Sequence, residues 1–264
     1  MLEDPKANRI RGVAKLNKKD ARSETGLFLL EGFQGLKEAL DRPKLIRDIF
    51  VTESARAEHS ELFERAAQAR VSITLVSEPV LKALVDTQTP QGVVAVCEQM
   101  HVDVKDIWDG QAKLVALLAN IRDPGNAGTV LRAADAAGAD AVVFSDNSVD
   151  VFNPKVVRST TGSLFHLPVA VGASSLELIA QAKTAGFQVF AASGGGVSIA
   201  DLSSEDLAKP TLWVFGNEAW GFEPEVLAAV DQVVAVPIYG AAESLNLATA
   251  ASICLYATAF AQNR

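Results

Sequence analysis

The sequence predicts an α/β protein built from two domains, and three observations carry this prediction. Hydrophobic residues make up 49% of the 264 residues, which is enough for a substantial buried core. Up to about residue 105, strand-like and helix-like segments alternate in a small unit. From Lys113 onward, short apolar runs alternate with helical patterns, which is typical of a parallel sheet covered on both faces. We therefore predict domains at residues 1–105 and 106–264.

The N-terminal domain is predicted to contain four strands and two helices. Runs rich in apolar and β-branched residues predict strands at 27–32, 45–52, 73–77 and 92–99. Apolar residues at helical spacing predict helices at 33–40 and 57–71. The apolar pattern breaks at 100–112, where we place the linker between the domains.

The C-terminal domain repeats a rhythm of strand, loop and helix. Five apolar runs predict buried strands: KLVALLA at 113–119, ADAVVFS at 139–145, GFQVFAAS at 186–193, TLWVFG at 211–216 and QVVAVPI at 232–238. Helices are predicted at 127–137, with Asn126 as the N-cap and Gly138 closing the helix, at 153–162, and near the C-terminus. In such a sheet, a ligand binds at the carboxyl ends of the strands.

Composition excludes several classes of protein. No uninterrupted apolar run reaches the roughly 20 residues that span a bilayer, and the N-terminus lacks the apolar middle of a secretory signal. Cys97 and Cys254 lie far apart, so neither a disulfide framework nor a structural zinc site is predicted. We expect a cytoplasmic protein without a metal.

The charge distribution points to a polyanionic partner. The net charge is −8, which disfavours binding to a phosphate backbone, yet residues 5–22 hold seven basic side chains against one acidic side chain. Such an asymmetry is typical of nucleic-acid binding, although a solvated helix face is the alternative. The seven basic residues are Lys6, Arg9, Arg11, Lys15, Lys18, Lys19 and Arg22.

Three distant stretches are predicted to form one site. They are NIRDPGNAGTVLRAADAAG at 120–138, FGNEAWGF at 215–222 and VPIYGAAESLNLATAA at 236–251. Each follows a predicted buried strand and supplies a glycine-bearing loop, which allows the backbone to approach a ligand closely. The glycine run at 193–196 is a fourth candidate loop, with a plain tight turn as the alternative.

In this order and spacing, the stretches resemble the motifs of the SpoU/TrmH branch of the SPOUT superfamily. Members are trefoil-knotted, homodimeric enzymes that transfer a methyl group from S-adenosyl-L-methionine to a ribose 2'-hydroxyl of RNA. The resemblance runs from about Leu114 to the C-terminus, and the segment beginning at Arg9 is similar to the L30e-like substrate-binding domain of many members. It implies an L30e-like α/β domain followed by a parallel-sheet α/β domain with a trefoil knot.

The resemblance also implies which residues form the site. Catalytic residues would be Arg132, Asn126, Glu218, Ser244 and Asn246, and cofactor-binding residues would be Ser193, Gly194, Gly216, Asn217, Val236, Ile238 and Leu245. Arg132 would position the RNA phosphate and ribose, whereas an ordinary helical arginine would pair with Asp135. Trp220 stands where the family often has a polar residue, and RNA contact, dimer contact and simple packing all stay open.

The added N-terminal domain favours large-subunit (23S) ribosomal RNA as the substrate, because a minimal tRNA enzyme of this family would not need it. A tRNA 2'-O-methyltransferase and a non-catalytic RNA-binding protein are the alternatives. A nucleotide-dependent oxidoreductase is disfavoured, since the glycine fingerprint and the acidic ribose partner of that class are missing.

Overall fold

The computed structural model describes residues 1–108, 111–217 and 219–264. In these ranges the strands are β1 (Leu27–Glu31), β2 (Ile46–Val51), β3 (Ile73–Leu75), β4 (Val93–Glu98), β5 (Leu114–Leu118), β6 (Ala141–Phe144), β7 (Val169–Val171), β8 (Gln188–Ser198), β9 (Thr211–Phe215) and β10 (Gln232–Ala235). The helices are α1 (Asn8–Ala14), α2 (Lys19–Thr25), α3 (Phe33–Ala39), α4 (Glu53–Glu58), α5 (Ser60–Gln68), α6 (Glu78–Leu84), α7 (Val104–Trp108), α8 (Pro124–Ala136), α9 (Pro154–Thr160), α10 (Ser175–Thr184), α11 (Ser204–Leu207), α12 (Pro224–Ala229) and α13 (Leu247–Gln262).

The chain packs as two compact units. The first contains Met1–Met100 and Asp150–His166, and the second contains His101–Val149 and Leu167–Arg264. A segment from the middle of the chain therefore belongs to the unit formed by the N-terminal hundred residues. The division into functional domains at 1–105 and 106–264 stays a prediction.

The first unit is built on a four-stranded mixed sheet with strand order β1-β4-β2-β3. β4 pairs antiparallel with β1 and β2, whereas β3 pairs parallel with β2. All four strands predicted for the N-terminal domain are confirmed, because their apolar side chains fill a core with Ile10, Leu81 and Leu84. The helix predicted at 57–71 begins at Ser60, and a separate helix, α4, precedes it because the Thr52 hydroxyl accepts a hydrogen bond from Ala55 N (3.3 Å).

The segment Asp150–His166 joins this unit through one buried ion pair and aromatic packing. Arg22 is 2% exposed; its Nη2 lies 2.6 Å from Asp150 Oδ2, and its Nη1 donates to Leu16 O at 2.9 Å. Phe152 packs against Phe28 with 4.9 Å between ring centroids. A buried cation needs such partners, so this arrangement fixes α2 and the start of the returning segment together.

The second unit is built on a six-stranded sheet with strand order β10-β8-β9-β5-β6-β7, and all its pairs are parallel. The residues of β5, β6 and β9 are buried throughout, as expected for strands covered on both faces. The predicted α/β class and parallel sheet are confirmed. The trefoil knot stays a prediction.

Several features of the second unit differ from the sequence predictions, among them the short helices α11 and α12, which were not predicted. β7 and α10 were not predicted, since a strand of three residues is too short for its period to be recognised. The predicted linker at 100–112 contains α7, in which Ile107 is buried and Trp108 contacts the ring of Phe187 with 5.4 Å between centroids. The described part of the predicted linker therefore contains a packed helix, whereas the position of the domain boundary stays a prediction.

The C-terminal helix α13 is anchored to the sheet and to α8. The buried Trp213 of β9 donates its indole N–H to Thr258 Oγ1 at 2.9 Å, and Tyr256 donates its hydroxyl to Ala136 O at 3.0 Å. On the side of α13 that carries Tyr256, Ile253 is 39% and Phe260 63% exposed, and the rings of Tyr256 and Phe260 lie 5.5 Å apart between centroids. Within the described residues, no helix is both long enough and apolar enough to cross a membrane.

Candidate functional site

Four adjacent strands of the second sheet bring the predicted loops to one place. In the order β10-β8-β9-β5, each strand is followed or interrupted by one of the four stretches singled out in the sequence. A cavity of about 540 Å³ lies among these loops. Ten of the predicted site residues line it: Asn126, Ser193, Gly194, Gly216, Asn217, Val236, Ile238, Ser244, Leu245 and Asn246.

The first stretch forms the start of α8. Asp123 is its N-cap, and its Oδ1 accepts a hydrogen bond from Asn126 N at 2.7 Å. The prediction that Asn126 is the N-cap is wrong, because proline at the first helical position lets the helix begin three residues earlier. Asn126 instead lies in the first turn, half-buried, with its side chain free of the capping role. The predicted end of the helix is confirmed, since Gly138 follows the C-cap with φ +71°.

Asn246 connects the third stretch to the first. Its Oδ1 accepts hydrogen bonds from Ala248 N (2.9 Å) and Thr249 N (3.3 Å), so it is the N-cap of α13. Its Nδ2 donates to Asn126 Oδ1 at 2.9 Å, across 120 positions of the sequence. One amide therefore fixes the starts of two helices, one from each motif.

Asn217 holds the loop after β9. Its Nδ2 donates to Asn120 O at 2.9 Å, and its Oδ1 accepts from Ala219 N (2.9 Å) and Trp220 N (3.3 Å). Its backbone exchanges two hydrogen bonds with Gly221, at 3.1 and 2.9 Å. Asn217 is 7% exposed, and both Nδ2 and Oδ1 of its side chain bond to the protein, so it shapes the cavity through the loop.

The glycine run at 193–196 is a bulge in β8. Ala191 pairs with Val233, whereas the next residue of β10, Val234, pairs with Val197, so residues 192–196 have no partner residue in β10. A Cβ at Gly196 would lie 2.3 Å from Val233 O, which only glycine avoids. The bulge turns Ser193 and Gly194 toward the cavity, whose lining includes both.

The remaining wall suits an adenosyl group. Ile238 and Leu245 line the cavity although each is 37% exposed, so apolar surface is available to a flat ring. Among the described residues, the segment 238–245 forms no backbone hydrogen bonds, which leaves its N–H and C=O groups for a ligand. A Cβ at Gly216 would lie 2.9 Å from Gly221 O, so glycine permits this closely folded loop.

Of the other two predicted catalytic residues, only Arg132 belongs to the described part of the chain, and it does not line this cavity. Arg132 is exposed on α8, and among the described residues it forms no salt bridge with Asp135 or any other carboxylate. Glu218 lies outside the described residues. The predicted roles of both side chains stay predictions.

The cavity also contains residues that sequence reasoning missed. Phe222 and Val234 supply apolar walls, and Glu243 supplies a carboxylate beside Ser244. Phe222 and Glu243 lie inside the quoted stretches at 215–222 and 236–251, so their position in the sequence could have identified them as cavity residues. Val234 is an ordinary strand residue that only the tertiary structure places here.

The predicted RNA-binding run belongs to the first unit, and two of its seven basic side chains are already paired. Arg22 is buried with Asp150, so its assignment as a phosphate ligand is wrong. Arg9 forms a salt bridge with Asp48 and lies over the ring of Phe50, 5.3 Å from the centroid. Five exposed residues remain: Lys6, Arg11, Lys15, Lys18 and Lys19.

Comparison with known proteins identifies the class. Residues 113–256 match the SpoU rRNA Methylase family, and residues 7–95 match the MRM3-like substrate binding domain. The chain belongs to the SpoU rRNA methylase family, so the predicted family is confirmed.

Relatives and solved structures support this assignment over almost the whole chain. The 23S rRNA (guanosine(2553)-2'-O)-methyltransferase RlmP of Bacillus subtilis is 36% identical, over 97% of each chain. An AdoMet-bound rRNA methyltransferase from Sinorhizobium meliloti superposes with a TM-score of 0.84 at 29% identity, covering 97% of this chain and 96% of the other. AviRb from Streptomyces viridochromogenes, a SpoU methyltransferase in complex with AdoMet, superposes with a TM-score of 0.82 at 28% identity. The match covers 96% of this chain and 98% of AviRb.

The double role of Asn246 can be separated by substitution. Asn246→Ala removes the cap and the bond to Asn126, and we expect it to lower the free energy of unfolding by about 1 kcal/mol. Asn246→Ser keeps a capping oxygen but is too short to reach Asn126, so most of the stability is expected to remain. Urea denaturation measures both variants. An equal loss in the two would show that the bond to Asn126 carries the stability.

Proposed function

We propose that this protein transfers the methyl group of S-adenosyl-L-methionine to a ribose 2'-hydroxyl of 23S ribosomal RNA. The observation that carries the proposal is the single cavity in which ten predicted site residues from four separate loops meet. The names of the relatives, which are 23S rRNA 2'-O-methyltransferases, support both the reaction and the RNA. As part of this proposal we place the reaction in the cytoplasm, and the ribosomal RNA substrates named for the relatives support this placement.

The residues that line the cavity fit the methyl donor. Ser193, Gly194 and Leu245, together with the apolar side chains of Val236 and Ile238, line the cavity and would hold its adenosyl part. The bound donor supplies an electrophilic methyl group on a positively charged sulfur. Asn217 acts on this pocket indirectly, since its side chain fixes the loop that carries Gly216.

A ribose hydroxyl is a weak nucleophile and must lose its proton during methyl transfer. Among the described residues that line the cavity, no histidine is present to accept it. We assign to Arg132 the positioning of the RNA phosphate and ribose and the stabilisation of charge during transfer. Its guanidinium is a bidentate phosphate ligand and a costly base. Glu218 orients the substrate side of the site, with Asn126 and Ser244 beside the donor.

Replacing Arg132 by alanine should abolish methyl transfer while the donor still binds. We expect the turnover rate to fall about 100-fold or more, because a group that acts on the substrate in the transition state is lost. Tritium transfer from labelled S-adenosyl-L-methionine to 23S rRNA measures turnover, mapping of 2'-O-methyl positions identifies the product, and calorimetry measures donor affinity.

Arg264→Ala is the matched control, since Arg264 is an exposed arginine of the same unit away from the cavity. Near-normal turnover by Arg132→Ala would remove Arg132 from the mechanism. A wild-type protein that binds RNA but methylates no ribose would favour a non-catalytic RNA-binding protein. Methylation of tRNA alone would replace the substrate.

The exposed apolar face of α13 supports a homodimer. Ile253 and Phe260 lie on one side of this helix and are 39% and 63% exposed, whereas Ala251, Cys254 and Leu255 pack inward. An apolar helix face that the unit itself leaves uncovered suits a two-fold contact with a second copy.

Charged substitutions on this face should therefore give monomers. Wild-type protein is expected to sediment at about 56 kDa, twice the chain mass of 27.9 kDa, and the double variant Ile253→Glu/Phe260→Glu near 27.9 kDa. Leu176→Glu is the control, because Leu176 is similarly exposed, at 41%, on α10. Wild-type protein that is monomeric at micromolar concentration would contradict the dimer.

The five exposed basic residues near the N-terminus are proposed to bind RNA phosphates. Each direct contact steepens the dependence of log affinity on log salt by roughly 0.7–0.9. Changing Lys15, Lys18 and Lys19 to glutamine should weaken RNA binding and flatten this slope by about 2 to 3. Donor affinity should not change, because the donor site lies in the other unit.

A charge-matched control separates contact from net charge. Lys37, Lys44 and Lys82 are exposed in the same unit and lie outside the basic run. Their change to glutamine alters the net charge equally but should leave the salt slope almost unchanged. Equal slopes for both triple variants would show that the basic run is a solvated face only.

A further inference from the structure

A second cavity, of about 270 Å³, lies on the other side of the loop that follows β9. Three residues of that loop region line both cavities: Asn217, Gly221 and Phe222. The second cavity therefore shares a wall with the proposed donor site without being part of it. Its other lining residues are Ala119, Asn120, Arg122, Asn147, Ser175, Trp220, Glu223 and Val226.

Ser175 provides an unpaired polar group in this cavity. It is the first residue of α10 and is 7% exposed, and its Oγ is buried without a hydrogen-bond partner in the described structure. The helix does not use this hydroxyl as its cap, because Ser174 accepts the bond from Glu177 N at 3.2 Å. Buried hydroxyl groups are nearly always paired, so a polar atom of a ligand in this cavity would be a suitable partner for Ser175 Oγ.

The rest of the lining has the chemistry of a nucleobase site. Trp220 is 77% exposed, and an indole at that position offers a face for stacking. Arg122 is exposed and, within the described residues, makes no hydrogen bond, so its N–H groups are available. Glu223 supplies a carboxylate acceptor, and Phe222 and Val226 supply apolar surface.

A bare phosphate fits this lining less well. The carboxylate of Glu223 opposes a second anion, and the apolar walls offer phosphate no hydrogen bonds. A base has flat apolar faces, which an indole can stack on. Its edge has both donors and acceptors, which a hydroxyl, a guanidinium and a carboxylate can bond to. One base also suits a cavity of about 270 Å³.

We infer that this cavity binds a nucleobase of the substrate RNA next to the ribose that is methylated. Trp220 stacks on the base, and Ser175 Oγ and Arg122 bond to its edge. The second cavity and the proposed donor site share Asn217 and Gly221 as lining residues. A base held in the second cavity therefore brings its ribose beside the donor site. The inference rests on the proposed function, and it makes these residues determinants of which nucleotide is chosen.

The test combines protein variants with removal of single bases. Ultraviolet crosslinking of wild-type protein to protein-free 23S rRNA identifies the bound segment, which is then synthesised with an abasic ribose at each position in turn. We expect one abasic position to weaken wild-type binding about tenfold, the size of a lost base–aromatic stack. Trp220→Ala should weaken binding to the intact segment by a similar factor. Removing the same base should then lower the RNA affinity of this variant only slightly further.

Two further variants test the base edge. Ser175→Ala and Arg122→Gln should each raise the KM for RNA while donor affinity stays constant, and Ser175→Ala should not destabilise the fold because its hydroxyl has no partner. Arg264→Gln is the matched control. The inference would be overturned if Trp220→Ala, Ser175→Ala and Arg122→Gln all bound RNA with wild-type affinity. It would also be overturned if the losses from Trp220→Ala and from base removal were independent of each other. Coupled binding losses without any methyl transfer by wild-type protein would instead overturn the proposed function alone.

Discussion

The parallel pairing of β10, β8, β9 and β5 is the constraint on which the site depends. Parallel strands direct their carboxyl ends to the same edge, so the four loops that follow or interrupt these strands meet there. Hydrogen bonding of the buried strands fixes the loop origins, and the loops need only short excursions to enclose about 540 Å³. The proposed function depends on this sheet, because its parallel strands bring the four loops to one edge.

Side-chain amides then lock the loops together. Asn217 ties the loop after β9 to Asn120, and Asn246 ties the start of α13 to Asn126. An amide suits these positions because its donor and its acceptor are separate atoms that reach partners in different directions, whereas a carboxylate has no donor. These motif asparagines therefore preorganise the backbone around the cavity, and this role differs from direct contact with a ligand.

Carboxylates decide which cations can bind RNA. Arg22 is neutralised by Asp150, Arg9 by Asp48, and Arg158 by Glu31 and Asp86 at 2.8 and 2.9 Å. The sequence alone does not distinguish these arginines from other basic residues as RNA ligands. Five basic residues of the N-terminal run, Lys6, Arg11, Lys15, Lys18 and Lys19, stay exposed outside these ion pairs, and Arg122 and Arg132 are exposed in the second unit.

The sequence by itself determined the α/β class, most strands and ten of the residues that line the cavity. These features depend on local apolar periodicity and on short motifs such as the glycine and asparagine of the loop after β9. Only the tertiary structure decided the strand order, the packing of Asp150–His166 with the first unit and the cavity around Ser175. Those features arise from contacts between residues far apart in the chain, such as Arg22 with Asp150, and no local pattern encodes which partner a side chain finds.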